Sequence, residues 1–267
     1  MKTKKSKVSI ILFAVAVLFA TIACGLTRPT LRVGDLRTES ESVELGDADS
    51  VEVEIFMAAG QLEVSGGANE LLQADFTYNV DELKPEVDYR GDALTIRTPD
   101  VNGRVDSWWD VDDYRYEWDL RLNDDVPMEM NVKVGAGKAD LELGSLSLTK
   151  LDVETGAGDI TLDLSGSSSL TRLDVEVGAG QVTVDLTGNW QDDLDANISG
   201  GLGELTLRLP GSACVRVAIQ AGLGNVDAQG LTRDGNDYVN DACSESDVTL
   251  RIDIKAGLGN INLDAGE

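Results

Sequence analysis

Apolar and polar residues alternate in short bursts along most of the chain, and the bursts come in pairs flanking a glycine corner. Val132 and Val134 precede Gly135-Ala136-Gly137-Lys138, and Leu141 and Leu143 follow it. Leu151 and Val153 precede Gly156-Ala157-Gly158-Asp159, with Ile160, Leu162 and Leu164 after it. The same arrangement surrounds Gly178-Ala179-Gly180-Gln181, Gly201-Leu202-Gly203-Glu204, Gly222-Leu223-Gly224-Asn225 and Gly257-Leu258-Gly259-Asn260. Alternation at period two marks strands with one face on a core and one in water. The residues between the apolar ones are Asp, Glu, Thr, Lys and Arg, as a solvated face requires. Glycine at the corners supplies backbone conformations closed to other residues.

The corners recur. Their second glycine falls at 137, 158, 180, 203, 224 and 259, in steps of 21, 22, 23, 21 and 35. The last step equals one period plus a 14-residue insertion. A degenerate earlier copy is visible at Ala59-Gly60-Gln61-Leu62. Two strands per unit at a period of about 21 residues predict an all-β fold, a β-solenoid whose units bury their apolar faces only by stacking. A meander of hairpins with glycine-rich turns is the competing arrangement. The repeat is assigned to residues 131–267, preceded by a β-rich N-terminal subdomain or cap at 50–130. That segment holds the strand-like runs Val51 to Phe56, Leu71 to Tyr78 and Ala93 to Thr98. The insertion at 226–247 is placed at the C-terminal end of the stack.

The start of the chain has a different pattern. Lys2, Lys4, Lys5 and Lys7 precede an apolar run from Val8 to Ala23, and Cys24 follows. A basic start, an apolar middle too short to span a bilayer and a small residue before the break describe a secretory signal peptide, assigned to residues 1–23. Thr21-Ile22-Ala23-Cys24-Gly25 resembles a bacterial lipobox, although Thr21 stands where leucine is usual. That resemblance implies cleavage before Cys24 and a lipid on its sulfur, anchoring the chain outside the cytoplasm. Residues 24–49 are polar and are read as a tether. Of the remaining cysteines, Cys214 and Cys243 form an even pair suited to a disulfide in an exported domain.

The net charge is −26, and the four lysines of residues 1–23 leave −30 on the remainder. So negative a surface repels nucleic acid and anionic lipid headgroups, which excludes nucleic acid as a partner and makes a covalent anchor useful at a membrane. There is no histidine. The commonest general base and zinc ligand are therefore missing, and no catalytic, metal or cofactor site is assigned. Asp110-Val111-Asp112-Asp113 begins like a calcium loop, but Tyr114 and Arg115 break the pattern. Paired carboxylates on a β-helix leave one enzymatic alternative, an extracellular polysaccharide-active enzyme. Aromatic residues concentrate at Trp108, Trp109, Tyr114, Tyr116 and Trp118. Exposed, they would bind an envelope protein or a glycan. Buried, they would plug one end of the stack.

The Gly-Ala-Gly units followed by alternating leucines, together with Ala59-Gly60-Gln61-Leu62-Glu63-Val64, resemble bacterial toast-rack proteins over about residues 45–267. These are glycine-rich envelope lipoproteins related to candidate adhesins and to the C-terminal domains of cell-wall-active antibiotic-response proteins. The resemblance implies a right-handed β-helix-like stack at the cell envelope. It also implies a non-catalytic structural or interaction role in adhesion or envelope stress.

Overall fold

A computed structural model describes residues 30–100, 104–105, 114–167 and 169–266. Cys24, Trp108 and Trp109 lie outside the described residues. In chain order the strands are β1 (Thr30–Leu31), β2 (Arg37–Val43), β3 (Val51–Ala68), β4 (Leu72–Tyr78), β5 (Glu86–Arg90) and β6 (Ala93–Arg97). Next come β7 (Arg104–Val105), β8 (Tyr116–Asn123), β9 (Met128–Glu142), β10 (Leu148–Asp163), β11 (Arg172–Asp185) and β12 (Leu194–Leu209). Then follow β13 (Cys214–Leu223), β14 (Val226–Gln229), β15 (Thr232–Asp234), β16 (Asp237–Val239) and β17 (Thr249–Ala265). Fifteen of them form one open sheet, and β1 pairs with β7. The protein is all-β and solenoid-like.

Each long strand is a bent rung that runs through its glycine corner. In β9, Met128, Met130, Val132 and Val134 are buried before the corner, and Ala139 and Leu141 after it. The buried positions change from even to odd across Gly135–Gly137, so both arms present their apolar faces to a single core. Leu146, Leu170 and Trp190, in the turns between rungs, are buried against the same core.

The rungs lie parallel with their corners in register: Gly60 on Gly137, Gly137 on Gly158, Gly158 on Gly180, Gly180 on Gly203, and Gly203 on Gly259. This column explains the glycines. Gly158 has φ 140°, and a Cβ added there would lie 1.8 Å from the carbonyl oxygen of Gly137. Neither the conformation nor the space admits a side chain. Ala58 occupies the position of the first corner glycine in β3. The added Cβ atoms point toward the preceding rung, and Ala58, with its N–H donating to Thr98 Oγ1, belongs to the first complete rung of the column.

Two sequence expectations need correction. The repeat begins at β3, which is in register with β9 from Val51↔Met128 to Ser65↔Glu142, so the sheet runs unbroken across the expected boundary at 131. The elaboration is residues 69–127. There β6 extends the first arm of β3 and β8 extends the second, making a split rung, while β5 and β4 add antiparallel strands; β2, from residues 37–43, pairs antiparallel with β4 beyond them. Second, the segment read as a tether contains β2. Its Glu39 accepts a hydrogen bond from the Tyr78 hydroxyl at 2.7 Å and pairs with Lys84. Chain order and stacking order also diverge at the end. β17 pairs with β12 on one side and with β13 and β14 on the other, so the last strand of the chain is the penultimate rung. The 35-residue step therefore contains an arm (β14) and a hairpin (β15–β16) before the chain passes back between two rungs.

Candidate interaction surfaces

The outward faces of the arms carry ladders of like position from successive rungs. Along one ladder Glu54, Asn131, Asp152, Asp174, Asn197 and Asp253 are neighbours. Burial, followed by the Asp174 and Glu154 carboxylates, pushes Asp152 above the usual aspartate range. Flanking ladders mix signs and relieve such repulsion. Lys133 pairs with Glu154 at 3.0 Å, Lys150 with Glu129 at 3.9 Å and Arg251 with Asp195 at 3.8 Å. Asp185 shows the opposite balance. Burial raises it, but Thr187 donates from its N–H (2.9 Å) and its hydroxyl (2.6 Å), and Arg208 lies 3.3 Å away. The net effect holds Asp185 below the usual range.

The aromatic cluster divides. Tyr116 and Trp118 are 2% and 1% exposed and belong to the core, so they are not a binding surface. The reason is the pairing of β8. Trp118 lies in register with Leu62 of β3 on one side and Phe76 of β4 on the other, with Phe76 meeting its ring edge-on at 5.6 Å. Tyr116 follows at 5.5 Å from Trp118. Tyr114 is half-buried, stacks on Tyr116 at 6.2 Å and donates from its hydroxyl to the Ala59 carbonyl at 3.3 Å. Burial pushes Tyr114 up to about 12 and Tyr116 higher still. These rings seal the stack at its N-terminal side.

At the other end Cys214 and Cys243 form a disulfide. Beside it Asn240 is buried and satisfies three backbone groups. Its Nδ2 donates to the carbonyls of Pro210 (3.2 Å) and Ala213 (2.9 Å), and its Oδ1 accepts the Val215 N–H at 3.0 Å. The β16 strand pairs with residues 216–218 and covers the first arm of the terminal rung.

The second arm of that rung is different, and sequence reasoning did not single it out. The central corner residue is alanine in β3, β9, β10 and β11 but leucine in the last three stacked rungs. Leu202, Leu258 and Leu223 lie in register side by side, exposed by 54%, 49% and 73%. The signal was present as the change from Gly-Ala-Gly to Gly-Leu-Gly. Its meaning required knowing that residues 258 and 223 are neighbours. Beneath this ridge the interior leaves a cavity of about 30 Å³ with an apolar lining. That is roughly the room of one water molecule and a tenth or less of a small-molecule pocket. On the polar exterior, a groove of about 750 Å³ runs beside β5 and β6, where Arg97 holds Glu86 at 2.6 Å.

The fold defines a filled, bent-rung rack with polar outer ladders, sealed by aromatic residues at one end and partly open at the other. The family model for the N-terminal domain of toast_rack, DUF2154, matches residues 32–170 and 166–208, and the chain belongs to this family. A candidate cell adhesion protein from Clostridium sporogenes ATCC 15579 has a solved structure with 28% identity and a TM-score of 0.67, over 87% of this chain and all of that one. A candidate adhesin from Bacteroides fragilis NCTC 9343 shares 10% identity at a TM-score of 0.38, over 87% of this chain and 99% of that one. Another, from Parabacteroides distasonis ATCC 8503, shares 13% at 0.33, over 86% and 99%. None of the curated proteins matches this chain in sequence.

Proposed function

We propose that the protein is a non-catalytic interaction module of the cell envelope, adhesin-like, displayed outside the cytoplasm on a lipid anchor at Cys24. The observation that carries this reading is the 28% identity with a candidate cell adhesion protein across that protein's whole length. The filled interior supports it, since a rack whose core is packed with Val, Leu and Ile offers its outer surface rather than a deep pocket. A polyanionic exterior keeps such a module from collapsing onto anionic headgroups, and the lipid holds it there.

Cys24→Ala tests the anchor. The variant is expected in the soluble fraction of fractionated cells, without incorporation of a labelled fatty acid. Firm membrane attachment of the variant overturns the lipid anchor. The interaction role is tested by crosslinking on living cells with the intact chain. Recovery of a defined envelope protein or glycan supports it. Turnover of envelope polysaccharide by the purified protein, abolished by one Asp→Asn change, overturns it in favour of an enzyme on a β-helix scaffold.

A further inference from the structure

We infer that the open end of the rack, residues 222–229 with the leucine ridge, is where a second copy of this chain docks, tail to tail. Three observations meet there. First, a terminal rung needs a cap, and only its first arm has one. Val226 is an inward-facing position equivalent to Ile261 of β17, its register partner. Ile261 is 1% exposed and Val226 36%. The core is partly open at Val226, while Ala228, the next inward position, is half-buried against it.

Second, β14 presents an unpaired edge. Among the described residues it pairs with β17 alone. The Ile261 N–H donates to the Asn225 carbonyl at 2.9 Å. In a parallel ladder the bonding groups alternate, so residues 225, 227 and 229 face β17, while the N–H and C=O of 226 and 228 face outward. Edges of this kind are templates for strand addition unless charge, proline or a covering element blocks them. Residues 222–229 contain neither proline nor lysine, and Asp227 is their one charge.

Third, charge selects the occupant. The opposite end of the rack finishes in β2, with Arg37, Glu39 and Glu41, and in β5, with Glu86, Asp88 and Arg90. Those edges are blunted. A head-to-tail contact would set this sparsely charged edge against them and would propagate into a filament. The same edge of an identical chain, with Asp227 as its one charge, lacks such a row of charges and is the surface it can pair with. A two-fold axis then runs two β14 strands antiparallel, covers Val226 of each copy and brings the exposed Leu223 side chains into the contact. The pairing closes after two copies. The remainder of each molecule is strongly negative, so the two racks extend away from each other.

The test is the oligomeric state of the full chain in non-ionic detergent, measured by sedimentation velocity up to about 100 µM, a range that detects weak dimers. A dimer is expected, and added salt should tighten it by screening repulsion between the acidic bodies. Leu223→Asp changes a side chain already in water, so it leaves the fold intact. It is expected to raise the dissociation constant by about tenfold or more, since a carboxylate is buried at an apolar contact. Val226→Pro removes an outward N–H without touching the β17 ladder and is expected to act in the same direction. Asp88→Lys, at the far end, should leave the dimer unchanged. A wild-type monomer throughout the range, an open series of larger species, or a dimer indifferent to both Leu223→Asp and Val226→Pro each overturns the inference.

Discussion

A side chain at position 158 is excluded twice, by its φ of 140° and by the Gly137 carbonyl 1.8 Å from where a Cβ would stand. Relieving that contact means separating two rungs of a hydrogen-bonded ladder, because the obstacle is backbone on both sides. Gly158→Ala is therefore expected to lower stability by about 3 kcal/mol or more, well above the roughly 1 kcal/mol typical of point changes. Ala58→Gly is the control within the same column. Nothing there requires glycine, and the expected loss is about 0.5–1 kcal/mol from added freedom in the unfolded chain. Denaturant melts of the two variants give the comparison. Asp152 makes a different kind of prediction. Its folded pKa is raised, first by burial and then by Asp174 and Glu154, so its ionised form costs stability above that pKa. Asp152→Asn should stabilise the protein at pH 7 by a few tenths to about 1 kcal/mol, the scale of facing like charges on neighbouring strands. The advantage should fade as pH falls through the raised folded pKa toward the unfolded value, because the wild-type carboxyl is then neutral as well. Asp185, held below its usual range, has the opposite sign: its contribution is present above the unfolded pKa and is lost as pH falls through the folded one.

Between elements, the terminal cap is held by one covalent and one polar device, and they act by separate routes. The Cys214–Cys243 bridge spans 29 residues and restricts the unfolded chain. Replacing both cysteines by serine should cost about 3–4 kcal/mol in the chain-entropy account. Asn240→Ala should cost about 2–3 kcal/mol by leaving the buried Pro210 and Ala213 carbonyls and the Val215 N–H without their partner. Chemical melts of each variant and of the triple variant show whether the losses add; the bridge and Asn240 meet at the same segment, so partial coupling is expected. The cysteine pair was open to sequence reasoning because reading residues 1–23 as a signal peptide makes an even pair meaningful. Asn240 was not, because its partners lie 25 to 30 residues away. The same divide runs through the fold. Rungs and corners were legible because period-two burial and the glycine requirement are local. The split rung of β6 and β8, the strand β2 and the burial of Tyr116 and Trp118 depend on which strand lies alongside which. Tyr116 and Trp118 are two residues apart and so share one face of β8, but only the flanking β3 and β4 decide that this face is inside.

At the scale of the whole molecule, insertion of β17 between β12 and β13 couples the end of the chain to the middle of its terminal stack. In a solenoid whose rungs stack in chain order, the last rung has one neighbour, frays first and contributes least. Here it has neighbours on both sides and buries Leu250, Ile252, Ile254, Ile261 and Leu263 to 1% exposure or less. At about 1.5–3 kcal/mol for each side chain, an upper bound, the rung accounts for roughly 7–15 kcal/mol of apolar burial. That matches the entire net stability of a typical domain, about 5–15 kcal/mol. Its absence would also leave β12 and β13 facing each other across a rung-sized gap, with the disulfide cap attached to the far side. Amides of residues 250–254 should accordingly exchange with solvent only at the rate of global unfolding, as slowly as those of β10 in the centre of the rack. Hydrogen exchange followed by mass spectrometry measures this directly. A chain ending at residue 248 should show no cooperative melt for the β12–β13 region. Rapid exchange of residues 250–254 alongside a protected β10 would mean that the terminal rungs open independently, and the stack would then behave as separate units rather than as one cooperative body.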